Sequence, residues 1–477
     1  MPLILSGNVA SATAAVGYDV ANSCRFNDGD SAFMSKTQGT GTNTTKMTLS
    51  VWIKRGALGT EQQIFETWND NNNRFDILFK SSTDQLEIQN TLAGATTINL
   101  KTDRVFRDPS AFMNIVVIVD STQGTAANRV KLYINGTQET SFATETYLDE
   151  DANLALGTSS YTNFIGKYSS SGGNFFDGYM AEVVYLDGTA ASIGDLGEFD
   201  DDSPTIWKPI DVSGLTFGNN GAYLDFEASD NLGNDANGGT DYGETNLAAT
   251  DQATDSPTNN FCTLNPLATF AYNPHSFSEG NTVFHGGADQ WQGSIGTFGV
   301  TTGKWYYEVK MVTTDSVITD SLIGFMGYDE VDITSASSYN GSGAFFYNSD
   351  GGEIKVGNTS SHTITTADYG TFSNGDIMGI ALDYDNEYLS IYKNGSALAT
   401  NYDFSGITNS VNGGKIAIPA ILGYGGDNAA HIAANFGNPY FSISSGNADA
   451  NGYGNFEYSV PSGYLALCTK NLGSDGG

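Results

Sequence analysis

Side-chain alternation with a period of two, stopped by tight glycine turns, is what most limits the folds open to this chain. In residues 47–54, Met47, Leu49, Val51 and Ile53 alternate with Thr48, Ser50, Trp52 and Lys54, the period of a strand with two distinct faces. The segments RFDILFK (74–80) and QLEIQ (85–89) repeat it, and residues 114–119 form a continuous apolar run, as expected of a central strand covered on both sides. Residues 130–134 and 388–393 alternate again, and each run meets an Asn-Gly pair, Asn135-Gly136 and Asn394-Gly395. That dipeptide favours a type I′ hairpin, whose two central residues both need positive φ. Fifty-seven glycines against ten prolines supply turns throughout. The fold class is therefore all-β and antiparallel.

Charge removes several functional classes. Twenty Lys+Arg against 54 Asp+Glu leave a net charge of −34, which argues against a nucleic-acid partner, because phosphate binding needs a basic surface. Cys24, Cys262 and Cys468 are odd in number and far apart, so neither a disulfide framework nor a zinc C-x-x-C site is expected. The first residues lack a basic, signal-like start, and no apolar run approaches the roughly 20 residues of a membrane helix. A protein made in a cytoplasm, with no membrane partner, is expected.

Three regions follow from texture: a β block at 1–190, an acidic, Gly/Asn-rich connector with short strands at 191–267, and a second β block at 268–477. In the second block Trp305, Tyr307, Val309 and Met311 are expected on one strand face.

The runs SCRFNDGDSA (23–32) and LSVWIKRG (49–56), with FIG (164–166) and FDGYMAEV (176–183), resemble laminin-G-like domains of marine bacteriophage structural proteins. The connector's LDFE (224–227) and DSPTNNFCTLN (255–265) are similar to a segment that follows such domains. GKWYYE (303–308), IGF (323–325) and GDIMG (375–379) resemble a SPRY domain, and GYLALCTKNL (463–472) its usual phage ending. The resemblance implies two concanavalin A-like jelly-roll β-sandwiches and brings no catalytic residue. It implies a non-enzymatic virion protein, serving as capsid decoration, a fibre or a tail-associated adhesin. The expected partners are other virion proteins, further copies of the chain and host-surface glycans. A secreted or cell-surface carbohydrate-binding protein is the first alternative, and a glycan hydrolase or lyase the second.

Glycan hydrolases on such folds need two carboxylates about 5–9 Å apart, often spaced Glu-x-Asp-x-x-Glu, and that spacing is missing. Glu182 is read as an isolated, outward strand residue. Ligand recognition on sandwiches uses rim loops, where aromatic faces meet Asn and Asp. Trp68 with Asp70, Asn71 and Asn72, and Tyr347 with Asn348 and Asp350, are the candidate groups. No cofactor is expected. A structural Ca²⁺ is the one ion left open, with oxygen ligands on offer at Asp70/Asn72, Asp149/Asp151, Asp200–Asp202 and Asp230/Asn234/Asp235. The apolar start, 2–5, is expected to dock on another particle protein.

Overall fold

The computed structural model describes residues 4–5, 17–169, 172–270, 275–286, 288–312, 321–327, 343–347, 352–357, 363–364, 369–407, 411, 415–425 and 431–475. They form two compact units, Val16–Thr258 and Met1–Ala15 with Asn259–Gly477.

The Val16–Thr258 unit is a sandwich of two eight-stranded sheets. The first runs Thr137–Glu139, Val130–Ile134, Met113–Asp120, Lys46–Arg55, Gly178–Asp187, Ser23–Phe26, Gln252–Ala253, with Ala222–Leu224 also paired to Gly178–Asp187. The second runs Phe142–Thr146, Ala95–Val105, Gln85–Leu92, Asn73–Phe79, Gln62–Asp70, Thr162–Ile165, Phe33–Thr37, Gly243–Thr245. The alternation decides which side chains meet between them: Met47, Leu49, Val51 and Ile53 pack with Ile115, Val117 and Val119 against Phe75, Ile77, Phe79 and Ile88. Asn135 and Gly136 both take positive φ (48° and 72°), as do Asn394 and Gly395 (47° and 76°), so both hairpins turn as the dipeptide predicts.

Of the residues read as connector, 191–258 are built into this unit and 259–267 into the other. Their short strands Ala222–Leu224 and Gln252–Ala253 extend the first sheet, and Gly243–Thr245 extends the second. Between them the chain covers the first sheet's outer face. Leu196, Val212, Phe217 and Tyr223 pack on Val116, Ile118, Val184 and Leu186, and Trp207 packs with Val20, Trp52 and Ala181. The nominally polar face of the strand Lys46–Arg55 is therefore buried too.

Cations of both sheets meet this acidic stretch. Lys54 is paired with Asp255 (2.7 Å) and lies over the Phe112 and Tyr179 rings. Arg25 reaches Asp251 (3.4 Å) and donates to the Thr250 carbonyl (2.7 Å). Lys36 faces Asp235 at 3.9 Å and donates to the Gly221 carbonyl. Each carboxylate comes from the acidic stretch, and each cation from a strand some 200 residues earlier.

The Asn259–Gly477 unit is a second sandwich. One sheet runs Leu264–Phe270, Ala288–Gly296, Ala417–Gly425, Ser321–Gly327, Gly343–Tyr347, Glu353–Gly357, Thr363–Ile364. The other runs His275–Ser278, Val283–Gly286, His431–Asn435, Lys304–Met311, Ile377–Asp383, Tyr388–Lys393, Ser396–Asp403. Trp305, Tyr307, Val309 and Met311 share the core face as expected. On the opposite face of that strand Glu308 is buried, and its carboxylate accepts from the Glu457 and Tyr458 amides (2.9 Å each) and from Asn435 Nδ2 (3.2 Å). The apolar start is used within this unit: Ile4–Leu5 pairs in parallel with Phe298–Gly299, and Ile4 packs on the core. The free docking segment expected from the sequence is corrected to that extent, because an apolar strand beside an open edge gains both backbone hydrogen bonds and burial.

Two outcomes test this architecture. A Cβ at Gly136 would lie 2.2 Å from the Trp207 ring, whereas Gly59, also at positive φ, has nothing within 4 Å. Gly136→Ala is expected to destabilise by about 2–4 kcal/mol and Gly59→Ala by about 1 kcal/mol, measured by urea unfolding. Asp255→Asn removes the charge opposite Lys54 and is expected to cost about 3 kcal/mol, part of it regained when Lys54→Met is added. Strict additivity in that double-mutant cycle would mean the pair is not coupled.

Candidate functional site

The outward face of the second sheet carries a row of polar and aromatic side chains that alternation alone reads as solvated. Phe65, Phe75, Ile77 and Phe79 point to the core, so Glu66, Trp68, Arg74 and Asp76 point the other way. Register then pairs them across the hairpin: Glu66 lies opposite Asp76 and Trp68 opposite Arg74. Phe164 flanks Glu66 on one side, and Gln89 flanks Asp76 on the other.

The loop that follows the strand Thr162–Ile165 crosses this row. The Ser169 amide donates to Glu66 Oε2. The Tyr168 ring meets Trp68 edge-on at 5.7 Å. Arg74 donates from Nη1 to the Tyr168 hydroxyl and from Nη2 to Gln89 Oε1 (2.8 Å each). The Lys167 ammonium sits 4.1 Å from the Phe33 ring centroid, with Phe164 and Phe175 within 6 Å, a cation held by aromatic faces. Farther along, Asn174 binds Glu61 through Nδ2 (2.9 Å), and its carbonyl accepts from the Gln63 amide (2.9 Å).

Under this loop Glu66 is 0% exposed and Asp76 1%. Burial, then the neighbouring Asp76 charge, pushes the Glu66 carboxyl up to about 9. Burial raises Asp76 to about 6, with the Arg74 charge pulling the other way. The two carboxyls stand opposite each other across the hairpin, and each acts on the other's proton affinity. Glu66 Oε1 and Asp76 Oδ2 receive no hydrogen bond among the described residues, and Arg74 Nε stands 3.5 Å from Asp76 Oδ2, a setting in which adjacent carboxyls favour sharing one proton. The raised Glu66 carboxyl thus keeps its proton beside Asp76 near neutral pH.

In chemical terms the pair is a proton-sharing dyad. Both carboxyls are buried, whereas a glycosidase seats a sugar or a water between its pair. The half-buried Trp68, the Tyr168 ring and the Arg74 guanidinium offer apolar faces and directed donors beside it, which is the chemistry of ligand recognition.

Of the residues singled out by sequence, Trp68 lies on this face. Asp70, Asn71 and Asn72 lie at the tip of the same hairpin. Asp70 is engaged in holding the turn, accepting from the Asn72 amide (2.8 Å), from Asn73 Nδ2 (3.0 Å) and from Asn69 Nδ2 (2.8 Å), while Asn71 and Asn72 are exposed. Tyr347 ends the strand Gly343–Tyr347, opposite Glu353 and Leu322. Asn348 and Asp350 lie outside the described residues. Glu66, Asp76, Arg74, Lys167 and Tyr168 escape sequence reading. The one available signal was a carboxylate at the same outward position on two successive strands.

Glu182 differs from its solvated reading. It occupies a bulge at φ 51°, is covered by the connector, and accepts from the Tyr223 hydroxyl (2.8 Å), which also contacts the Tyr18 hydroxyl (2.7 Å). Burial lifts its carboxyl to about 7. Among the loops offered for Ca²⁺, Asp200 binds Lys208 (3.1 Å) and the amides of Asp202 and Ser203. Asp235 faces the Lys36 ammonium, so a side-chain cation already stands at each. Among the described residues no three His, Cys, Asp or Glu converge on a metal position, and no helix is long and apolar enough to cross a membrane.

Glu66→Gln tests the dyad. A carboxyl raised in the folded state contributes stability that is present at low pH and declines as pH climbs from about 4.5 towards 9. The amide removes this decline and can donate to Asp76. Glu66→Gln is expected to stabilise the protein at pH 8 by at least about 1 kcal/mol and to change little at pH 4, read by urea unfolding at both values.

Residues 27–190 match the concanavalin A-like lectin/glucanases superfamily in its laminin G form, and residues 304–435 match the SPRY domain. The chain thus carries a laminin-G-type domain followed by a SPRY domain. Among solved structures, the human HERC1 SPRY domain is 14% identical, with a TM-score of 0.25 over 32% of this chain and 87% of that one. A heptameric SAP-like pentraxin from Limulus polyphemus is 13% identical, TM-score 0.28, over 37% and 81%. Domains LG4-5 of the mouse laminin alpha1 chain are 9% identical, TM-score 0.30, over 95% and 88%. No curated protein matches the chain.

Proposed function

We propose that this protein is a non-enzymatic structural component of a phage particle, and that the outward face around Trp68 binds glycans of the host surface. The observation that carries the binding reading is the grouping of a half-buried tryptophan, a tyrosine and a tethered guanidinium beside a buried carboxyl pair. Sugars are recognised by aromatic faces that cover their C–H surface and by charged or amide groups that bond their hydroxyls. The hairpin tip adds the exposed amides of Asn71 and Asn72. The laminin-G-type match supports a recognition role for this unit. The particle assignment is supported by the ordered resemblance of both domains and the connector to phage structural proteins. A net charge of −34 suits an abundant surface component, since it keeps copies soluble and off acidic envelopes and DNA.

Burial of both carboxyls favours binding over hydrolysis. The runner-up, a secreted carbohydrate-binding protein, shares the same face and differs only in where the protein resides.

Two measurements decide between these. On a glycan array, Trp68→Ala is expected to lose at least about tenfold in affinity for any glycan bound by the wild type, with an unchanged circular dichroism spectrum. Equal binding by wild type and variant would move the ligand elsewhere. Mass spectrometry of purified particles is expected to find the protein in stoichiometric copies, and its absence from particles would favour the secreted alternative.

A further inference from the structure

The second unit carries a histidine pair that glycan binding does not use. His285, on the strand Val283–Gly286, lies directly opposite His431, on the strand His431–Asn435. The Ala434 amide donates to the Thr282 carbonyl (2.8 Å). Antiparallel ladders alternate hydrogen-bonded and non-bonded positions, so three steps along, His285 and His431 meet at a non-bonded position, where facing side chains lie closest. Their ring centroids are 4.6 Å apart and the planes nearly perpendicular, at 83°.

Ser278, diagonal to this pair, has its hydroxyl 2.7 Å from His285 Nε2. A ligating histidine ordinarily gives its second ring N–H to such a partner, which fixes its tautomer and orientation. With Nε2 engaged by Ser278, Nδ1 is the nitrogen of His285 that turns to a metal. Both rings are half-buried, and burial lowers both from the usual imidazole range. That direction favours the neutral imidazole, the form that coordinates.

We propose that His285 and His431 form a two-imidazole site for a divalent first-row transition metal of the zinc or copper class, with Ser278 as a positioning residue. Imidazole nitrogen selects these ions over Mg²⁺ and Ca²⁺. Two protein ligands leave coordination positions open, to be filled by water or by a donor from outside the chain.

The test uses the full chain without an affinity tag, titrated calorimetrically with ZnCl₂ and with CuCl₂. One equivalent of each ion is expected to bind, copper more tightly than zinc, and to raise the unfolding temperature. That equivalent is expected to vanish in His285→Gln and in His431→Gln, whose metal-free unfolding curves confirm folding, and to persist in His275→Ala. Ser278→Ala is expected to keep the stoichiometry and lose about 10–100-fold in affinity. Absence of binding by the wild type, or the same binding in the His285→Gln/His431→Gln double variant, would overturn the site. An unchanged affinity in Ser278→Ala would remove Ser278 from it.

Discussion

Cations taken out of water hold the Val16–Thr258 unit in its form. Moving an ammonium or guanidinium into a sheet's covered face costs several kcal/mol unless a carboxylate meets it there. Arg25, Lys36 and Lys54, on three strands, find theirs at Asp251, Asp235 and Asp255. The chain holds only 20 Lys and Arg, so committing these three to buried pairs with the acidic stretch is a large share. The acidic stretch must therefore close over the first sheet, and in closing it brings Leu196, Val212 and Phe217 onto Val116 and Ile118. What a linear reading takes for a linker is a cover fastened by charge. It also leaves the outward face of the other sheet uncovered by this stretch.

On that second face the electrostatic problem has the opposite sign and a different solution. Glu66 and Asp76 are buried side by side with little countercharge: Lys167 lies over three phenyl rings, and Arg74, whose Nε stands 3.5 Å from Asp76 Oδ2, is shared with Tyr168 and Gln89. Two adjacent buried carboxyls do not both ionise at neutral pH, so one keeps its proton. In the other unit Glu308 faces a similar burial with a third solution, accepting from two backbone amides and an asparagine. Ion pairing, proton sharing and amide capture are three answers to one cost, and each leaves a different chemistry behind. Only the second leaves a titratable pair beside partly exposed aromatic groups.

Much of the fold was legible in the residues themselves. The strands at 47–54, 114–119, 130–134 and 304–311 appear where alternation or an apolar run put them, and both Asn-Gly turns take the positive φ that the dipeptide favours. Of the face proposed for binding, the sequence singles out Trp68 but not its carboxyl neighbours. Alternation states which way Glu66 and Asp76 point, but not that the loop after residue 165 comes back over them. Glu182 was hidden for the same reason, since its position beneath Tyr223 depends on a segment some 40 residues farther on.

The sequence by itself determined the strands, their two faces, the tight turns and the absence of a disulfide framework, because these depend on neighbours within a few positions. Only the tertiary structure decided which of the two faces becomes a second interior, which carboxylate meets which cation, and which acids share a proton. Those outcomes depend on distances between residues far apart in the chain, and burial changes the energy of a charge far more than any local preference does.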